Sequence, residues 1–395
     1  MLRQSKKPYI CVFWAFLFVC SCQNSPEIIT IPDKISILPE NGLLTVKEAS
    51  FFKKDRDTVL FFAEDSVLEV ADGSYNLKKG TVMQISSPLK KKLKNIKLQT
   101  LFLAETGSFS FFRMLIPRKF IVEEINFDIK YLIGEKVQDS KKGGVYSYYE
   151  DSLYDFYGVF LPFSPLYEQD NYLLSICMSF RDGDNIVVYS AGDIQKKEFK
   201  LQQLNFSKGK SKDLASASRK KYNEQQTARH ELWKTVTQPL TKDIWQITKP
   251  LDNISRLTSD FGFTRRWILS NGKQYSRDVH LGVDYGVPTG TPIYSLLDGV
   301  VVLSGMQELY GNMVIVNHGL GLYTNYCHMN KCLVNADTVV KKSEIVGEVG
   351  MTGASTGPHL HIETRIYGIP IDYRKLESLL DLFVIDVDKT KWIDK

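Results

Sequence analysis

Histidine is scarce in this chain and unevenly placed: of His230, His280, His318, His328, His359 and His361, all but the first lie at or beyond position 280. Imidazole is the commonest metal ligand and the usual acid or base near neutral pH, so chemistry is to be sought in this Gly-rich stretch. His280-Leu281-Gly282-Val283-Asp284 reads as a strand, on which positions i and i+4 share a face. The imidazole and the carboxylate would then point together, with only Gly282 between them. A helix would align them too, but Gly282, Gly286 and Pro288 disfavour one. His359-Leu360-His361 follows the turn-rich Gly353-Ala354-Ser355-Thr356-Gly357-Pro358 and sets two imidazoles on one strand face, with Leu360 toward the core. Tyr326-Cys327-His328 ends the run Leu322-Tyr323-Thr324-Asn325, so a regular strand puts Thr324, Tyr326 and His328 on a common face, either lining a cleft or, for Tyr326, packing in the core. Singly, each pattern arises by chance. His230-Glu231 does not extend to a zincin motif, because Lys234 stands where the second histidine would be.

The elements that position these residues belong to a mainly β chain. At 395 residues it has room for two or three domains. Hydrophobic residues at 43% and charged residues at 24% exclude disordered, collagen-like and disulfide-framework classes, and the long polar stretches exclude a multi-span membrane protein. The formal charge is +5; without Arg3, Lys6 and Lys7 of an expected leader, 47 basic residues face 45 acidic ones. So near a balance, no nucleic-acid partner is expected. Short β-rich runs separated by turn residues predict a small all-β module over 27–119 and a sandwich-like, immunoglobulin-type module over 120–206, with Asp182-Gly183-Asp184-Asn185 as a hairpin turn. The basic cluster from Leu89 to Leu98 reads as a solvated strand edge. Residues 207–238 lack Pro until Pro239 and predict a polar linking helix, followed by the histidine-bearing domain over 239–380 and a tail over 381–395.

In order along the chain, several features resemble the lysostaphin-type, LytM-like zinc endopeptidases that cut peptidoglycan peptides. They are Ser259-Asp260-Phe261-Gly262, His280-x-x-x-Asp284, Val287-Pro288-Thr289-Gly290-Thr291-Pro292, Val316-Asn317-His318-Gly319, Tyr326-Cys327-His328-Met329 and Gly357-Pro358-His359-Leu360-His361. The resemblance covers a little under a third of the chain. It implies an antiparallel β fold and one Zn²⁺ per chain held by His280, Asp284 and His361. The fourth position would be left for water. It also implies His328 and His359 as the non-ligand catalytic pair, with the base unassigned between them, and His318 as structural. Glu363 is a candidate to orient a ligand. Trp267, Asn271, Gly272, Tyr275 and Arg277 precede the first ligand and predict a loop reaching over the cleft. Some members of the family have lost ligands and only activate other wall hydrolases; none of the five key positions departs here, so hydrolysis is expected, with a non-hydrolytic scaffold or activator as the alternative.

The N-terminus reads as an address. Three basic residues precede an apolar run from Tyr9 to Cys20, too short for a comfortable span. Residues 1–22 end in Val19-Cys20-Ser21-Cys22, which resembles a bacterial lipobox with Cys22 as the acylated residue and Cys20 as the other candidate. The expectation is a membrane-anchored lipoprotein facing the periplasm or the cell exterior, with peptidoglycan as partner. Cys177, Cys327 and Cys332 then remain, too few for a disulfide framework. Small buried hydrophobes are the expected role of the last two.

Overall fold

The computed structural model describes the backbone of a series of strands between Phe16 and Asp193, and the side chains of residues 105–111, 157–168, 194–211, 218–240, 246–252 and 256–377. Cys20, Cys22, Asp182-Gly183-Asp184 and the tail over 381–395 lie outside the described residues. Upstream of position 200, the Val-, Ile-, Phe- and Tyr-rich runs form antiparallel strands, as their composition favours, in a seven-stranded sheet, a four-stranded sheet and two two-stranded ones. The predicted division at 119/120 does not separate them. Thr81–Ser86 pairs with Asn185–Asp193, and Ser108–Pro117 pairs with Tyr154–Phe163, so 27–119 and 120–206 interleave in both sheets. Alternation marks a segment as a strand but leaves its partner to long-range packing, which is why the boundary was misplaced. Lys97–Leu101 is an edge strand of the four-stranded sheet; of the basic cluster only Lys97 and Leu98 fall on it, and 89–96 lie outside the described residues.

Eight strands build the sheet that carries the histidines, numbered here in chain order: β1 (Leu257–Ser259), β2 (Val283–Tyr285), β3 (Gly299–Gln307), β4 (Gly311–Gly319), β5 (Leu322–Met329), β6 (Val339–Val340), β7 (Leu360–Ile366) and β8 (Ile369–Ile371). Their spatial order is β1-β2-β7-β5-β4-β3-β6, with β8 also pairing β7, and every pairing is antiparallel. Both faces are covered, so β5 and β7 are buried along their whole length. The inner face packs Val314, Val316, Tyr326, Leu360 and Ile362 into the main core, which Phe109, Phe111 and Phe160 of the upstream sheet join.

Helix α1 (Arg219–Lys234) covers the outer face. Ser218 caps it, its hydroxyl accepting from the Lys221 amide at 3.2 Å, which satisfies one of the orphan N–H groups of the first turn. Arg229 and Trp233, four residues apart and so on one side of the helix, are both buried. Trp233 packs with Met313, Ile315, Tyr323 and Cys327, and truncating it to Ala would cost about 3–5 kcal/mol. The segment predicted as a link is thus a layer of the domain. Cys327 and Cys332 are free thiols, the first buried in that layer.

Candidate metal centre

Neighbours across antiparallel strands point to the same side. The register Asp284↔His361, Cys327↔His361, Asn325↔Glu363 and Tyr323↔Arg365 therefore puts all of these on the outer face, the one α1 covers. His280 is not on the strand of Asp284, as the i, i+4 pattern suggested. It lies just past the Gln274–Val279 strand, and the chain bends through Gly282 before β2 begins at Val283. The bend needs glycine for space: a Cβ there would lie 2.4 Å from the Ile362 carbonyl oxygen and 2.7 Å from the His361 ring.

Three donor atoms converge. His280 Nε2 lies 3.1 Å from Asp284 Oδ1 and 3.0 Å from His361 Nδ1, and His361 Nδ1 lies 2.8 Å from Asp284 Oδ1. Among the described residues these are the one group of His, Cys, Asp and Glu side chains whose donor atoms could share a metal ion. The protons are placed by the outer partners. His280 Nδ1 is 2.7 Å from the Asp260 carbonyl, which can only accept, so Nδ1 donates and Nε2 presents its lone pair. His361 Nε2 faces Glu363 Oε2 at 3.6 Å, and its Nδ1 faces the centre. Lone pairs of two imidazoles and a carboxylate aimed at one point fit a divalent cation, and without one they repel. Burial holds His280 down to about 4. Burial also disfavours charge on His361, but hydrogen bonds to Asp284 and Glu363 outweigh it and hold that ring up to about 9, so in the metal-free protein a proton stands in for the cation.

Two residues that the sequence reading did not select complete the surroundings. Arg265, on the Thr264–Ile268 strand, forms an ion pair with Asp284 Oδ2 and leaves Oδ1 for the centre. Burial opposes ionisation of Asp284, yet His280 and the Arg265 guanidinium hold its carboxyl well below the usual range. Nothing local in the sequence marks Arg265; hairpin register brings it there. Trp267 and Tyr275 stack across this hairpin at 6.3 Å, and Trp267 donates to Asp278, so the segment predicted as a loop is largely strand. Arg365 is the other addition. Its Nε donates to Glu363 Oε1, and together with His361 it holds that buried carboxyl down to about 2 against the effect of burial.

The remaining two histidines flank the centre. Their ring centroids are 4.9 Å apart, and His328 lies 5.8 Å from His361. His328 does not share a face with Thr324 and Tyr326. A register shift between Asn312 and Val314 on β4 marks a bulge, and His328 takes a left-handed φ of 57°, which re-aims its ring to the outer side. Thr324 and Tyr326 stay inside, where Thr324 Oγ1 lies 2.9 Å from His318 Nε2 and the Tyr326 hydroxyl accepts from the Leu296 amide. His318 is thus tied to Thr324 and the Asp298 carbonyl, apart from the centre. His328 Nδ1 donates to the Thr352 carbonyl at 2.8 Å and His359 Nδ1 to that of Gly357 at 2.8 Å, so both rings keep Nε2 as the free nitrogen. His359 Nε2 is 3.8 Å from Asp284 Oδ1. Burial lowers the pKa of both, His328 well below the ordinary value, and both are neutral at pH 7.

Comparison with known proteins converges on the same stretch. The sequence profile of peptidase family M23 matches residues 278–373. DD-carboxypeptidase/endopeptidase Mpg of Neisseria meningitidis serogroup B is 40% identical over 118 residues, 30% of this chain and 26% of that protein. Peptidoglycan DD-endopeptidase ShyA of Vibrio cholerae serotype O1 is 33% identical over 150 residues, 36% of this chain and 35% of that protein. The chain thus spans about a quarter to a third of the length of these curated relatives. Among solved structures, the catalytic domain of the antimicrobial peptidase lysostaphin from Staphylococcus simulans superposes with a TM-score of 0.27 at 26% identity, over 31% of this chain and 92% of that one. His280, Asp284, His318, His328, His359 and His361 all lie within the matched stretch, and residues 278–373 carry the peptidase family M23 domain signature.

Proposed function

We propose that the chain is a zinc-dependent endopeptidase that hydrolyses amide bonds in the stem or cross-bridge peptides of peptidoglycan. The observation that carries this reading is the convergence of the His280, Asp284 and His361 donor atoms within 3.1 Å, beside two neutral imidazoles anchored to carbonyls. Two imidazoles and one carboxylate fill three positions of a tetrahedral ion and leave a fourth open, as hydrolytic zinc sites require and structural ones do not. When bound, the ion supplies Lewis acidity, polarising a carbonyl oxygen and bringing the pKa of water to about 7.

The chain's own groups do the rest. With Nδ1 committed to a carbonyl, His328 and His359 each have Nε2 to accept a proton in the neutral ring or to donate one in the charged ring. One ring takes the proton of the attacking water. The pair then hydrogen-bonds the oxygen on which negative charge develops and returns a proton to the leaving amine. Arg265 holds Asp284 in its orientation, and Glu363 does the same for His361. The similarity to ShyA, a peptidoglycan DD-endopeptidase, supports peptidoglycan peptides as the substrate class. Acylation of Cys22 would hold this domain at a membrane surface facing the wall polymer.

The test is digestion of purified cross-linked muropeptides by the zinc-loaded full chain, read by mass spectrometry. The expected result is severed peptides from the wild type and none from His328→Ala or His359→Ala. Intact muropeptides after incubation with zinc-loaded wild type would overturn the reading in favour of the non-hydrolytic alternative.

A further inference from the structure

The ligand His361 stands at one end of a row on the outer face of β7, His361-Glu363-Arg365, whose members alternate with the core residues Leu360, Ile362 and Ile366. Glu363 and Arg365 are buried, and each is satisfied by the next. Arg365 spends Nε on Glu363 Oε1 and Nη1 on the Gly368 carbonyl at 2.6 Å. What closes the row is α1: the Trp233 ring lies over the Arg365 guanidinium, 4.1 Å from its carbon, and the indole N–H donates to Asn325 Oδ1 at 3.3 Å. The same helix is fastened beside the other catalytic imidazole. Arg229 Nη1 donates to Gln307 Oε1 at 2.8 Å and its guanidinium lies 4.7 Å from the centre of the Tyr310 ring. The Tyr310 carbonyl accepts from the His328 amide at 2.8 Å, at the left-handed residue.

We infer that α1 is a positioning element of the metal centre, with Trp233 as its positioning residue: by covering Arg365 it keeps the Arg365–Glu363 pair dry and fixed, and through Glu363 it sets the orientation in which His361 offers Nδ1. The physical ground is dielectric. A carboxylate–guanidinium pair shielded from water attracts far more strongly than a wetted one, and a planar guanidinium is held best between a fork of acceptors and an aromatic face. Without the indole, water reaches Arg365 and its side chain is released. Glu363 is then left buried with no fixed partner, and nothing defines where the His361 ring points. Outer partners of metal-bound histidines typically control affinity by about 10–100-fold. This inference rests on the metallopeptidase reading, but its readout is metal binding rather than peptide cleavage.

The experiment is zinc affinity of the full chain, measured by competition with a chromophoric chelator, together with the visible absorption of the cobalt-loaded protein, which reports ligand geometry. Trp233→Ala is expected to lower zinc affinity about 10-fold or more and to alter the cobalt spectrum, and Trp233→Phe, which restores an aromatic face, is expected to recover most of both. Val340→Ala removes a buried core side chain on β6, at the end of the sheet away from β7 and outside the cluster around Trp233, and should destabilise the fold while leaving zinc affinity within about 2-fold. If Trp233→Ala does not fold, Arg365→Lys decides, since it keeps the charge but loses the fork and the stack. Wild-type affinity in a folded Trp233→Ala or Arg365→Lys variant, or an equal loss in Val340→Ala, would overturn the inference. Failure of the wild-type chain itself to bind zinc would instead overturn the metallopeptidase reading, and this inference with it.

Discussion

Gly282→Ala is a one-methyl change whose consequences can be worked from the structure. The backbone there is not left-handed, so the demand for glycine is purely one of space. The new methyl would meet the Ile362 carbonyl oxygen at 2.4 Å and His361 ring atoms at 2.7 and 2.9 Å, where ordinary contact begins at 3.4 Å. Relief requires the bend before β2 to move away from β7 by about 1 Å, and these two strands carry Asp284 and His361, whose ligand atoms are 2.8 Å apart. Metal–ligand distances tolerate only about 0.2 Å. Overpacking of this size costs about 1–3 kcal/mol, or about 2–4 °C of melting temperature per kcal/mol for a domain of this class. The larger effect falls on the metal, with affinity reduced by about 10-fold or more. Chelator competition and thermal melts with and without zinc measure both, and Gly209→Ala is the control, because nothing lies within 4 Å of the methyl it would add. If Gly282→Ala bound zinc within about 2-fold of wild type, the claim that close approach at this bend sets the ligand geometry would be wrong.

Three further outcomes are expected. His318 is held by burial at about 4, below its unfolded value near about 6.5, so the unfolded chain binds the extra proton between those values. Its contribution to stability is therefore present above that window and lost as pH falls through it, by up to about 3 kcal/mol; denaturant melts should show the zinc-loaded His318→Gln protein with a flatter acid slope, and parallel slopes would contradict this. His328 and His359 are both lowered by burial, so the acid limb of the cleavage profile should lie below the ordinary imidazole range; a rate already falling from pH 8 downward would contradict their assignment as neutral proton acceptors. His361 is held up to about 9 by Asp284 and Glu363 in the metal-free protein, so zinc binding at pH 7 should expel about one proton, measurable by titration calorimetry in buffers of differing ionisation enthalpy; no buffer dependence would contradict it.

The site was legible in the sequence to the extent that it is local. His359-Leu360-His361 sits on one strand end as period-2 alternation dictates, with Leu360 in the core, and Glu363 faces His361 because it is two residues further along β7. Whatever depended on a break in regularity was not legible. His280 and Asp284 meet through a bend at Gly282, and His328 reaches them only because a bulge and a left-handed φ turn it out of the face occupied by Tyr326. Long-range partners were equally hidden. Nothing near Arg265 in the chain announces Asp284, and Arg229 and Trp233 read as ordinary members of a polar helix until their buried side is seen against β5 and β7. The two upstream β modules fail as separate units for the same reason. Alternation shows which segments are strands, while pairings such as Tyr157↔Met114 and Ser190↔Thr81 are decided across gaps of many residues.

The most direct measurement is anomalous diffraction at the zinc absorption edge from crystals of the full chain grown with equimolar zinc. One strong peak is predicted, bounded by His280 Nε2, Asp284 Oδ1 and His361 Nδ1, and no such peak in crystals of His361→Ala. A peak at other residues, or none with zinc present, would contradict the account.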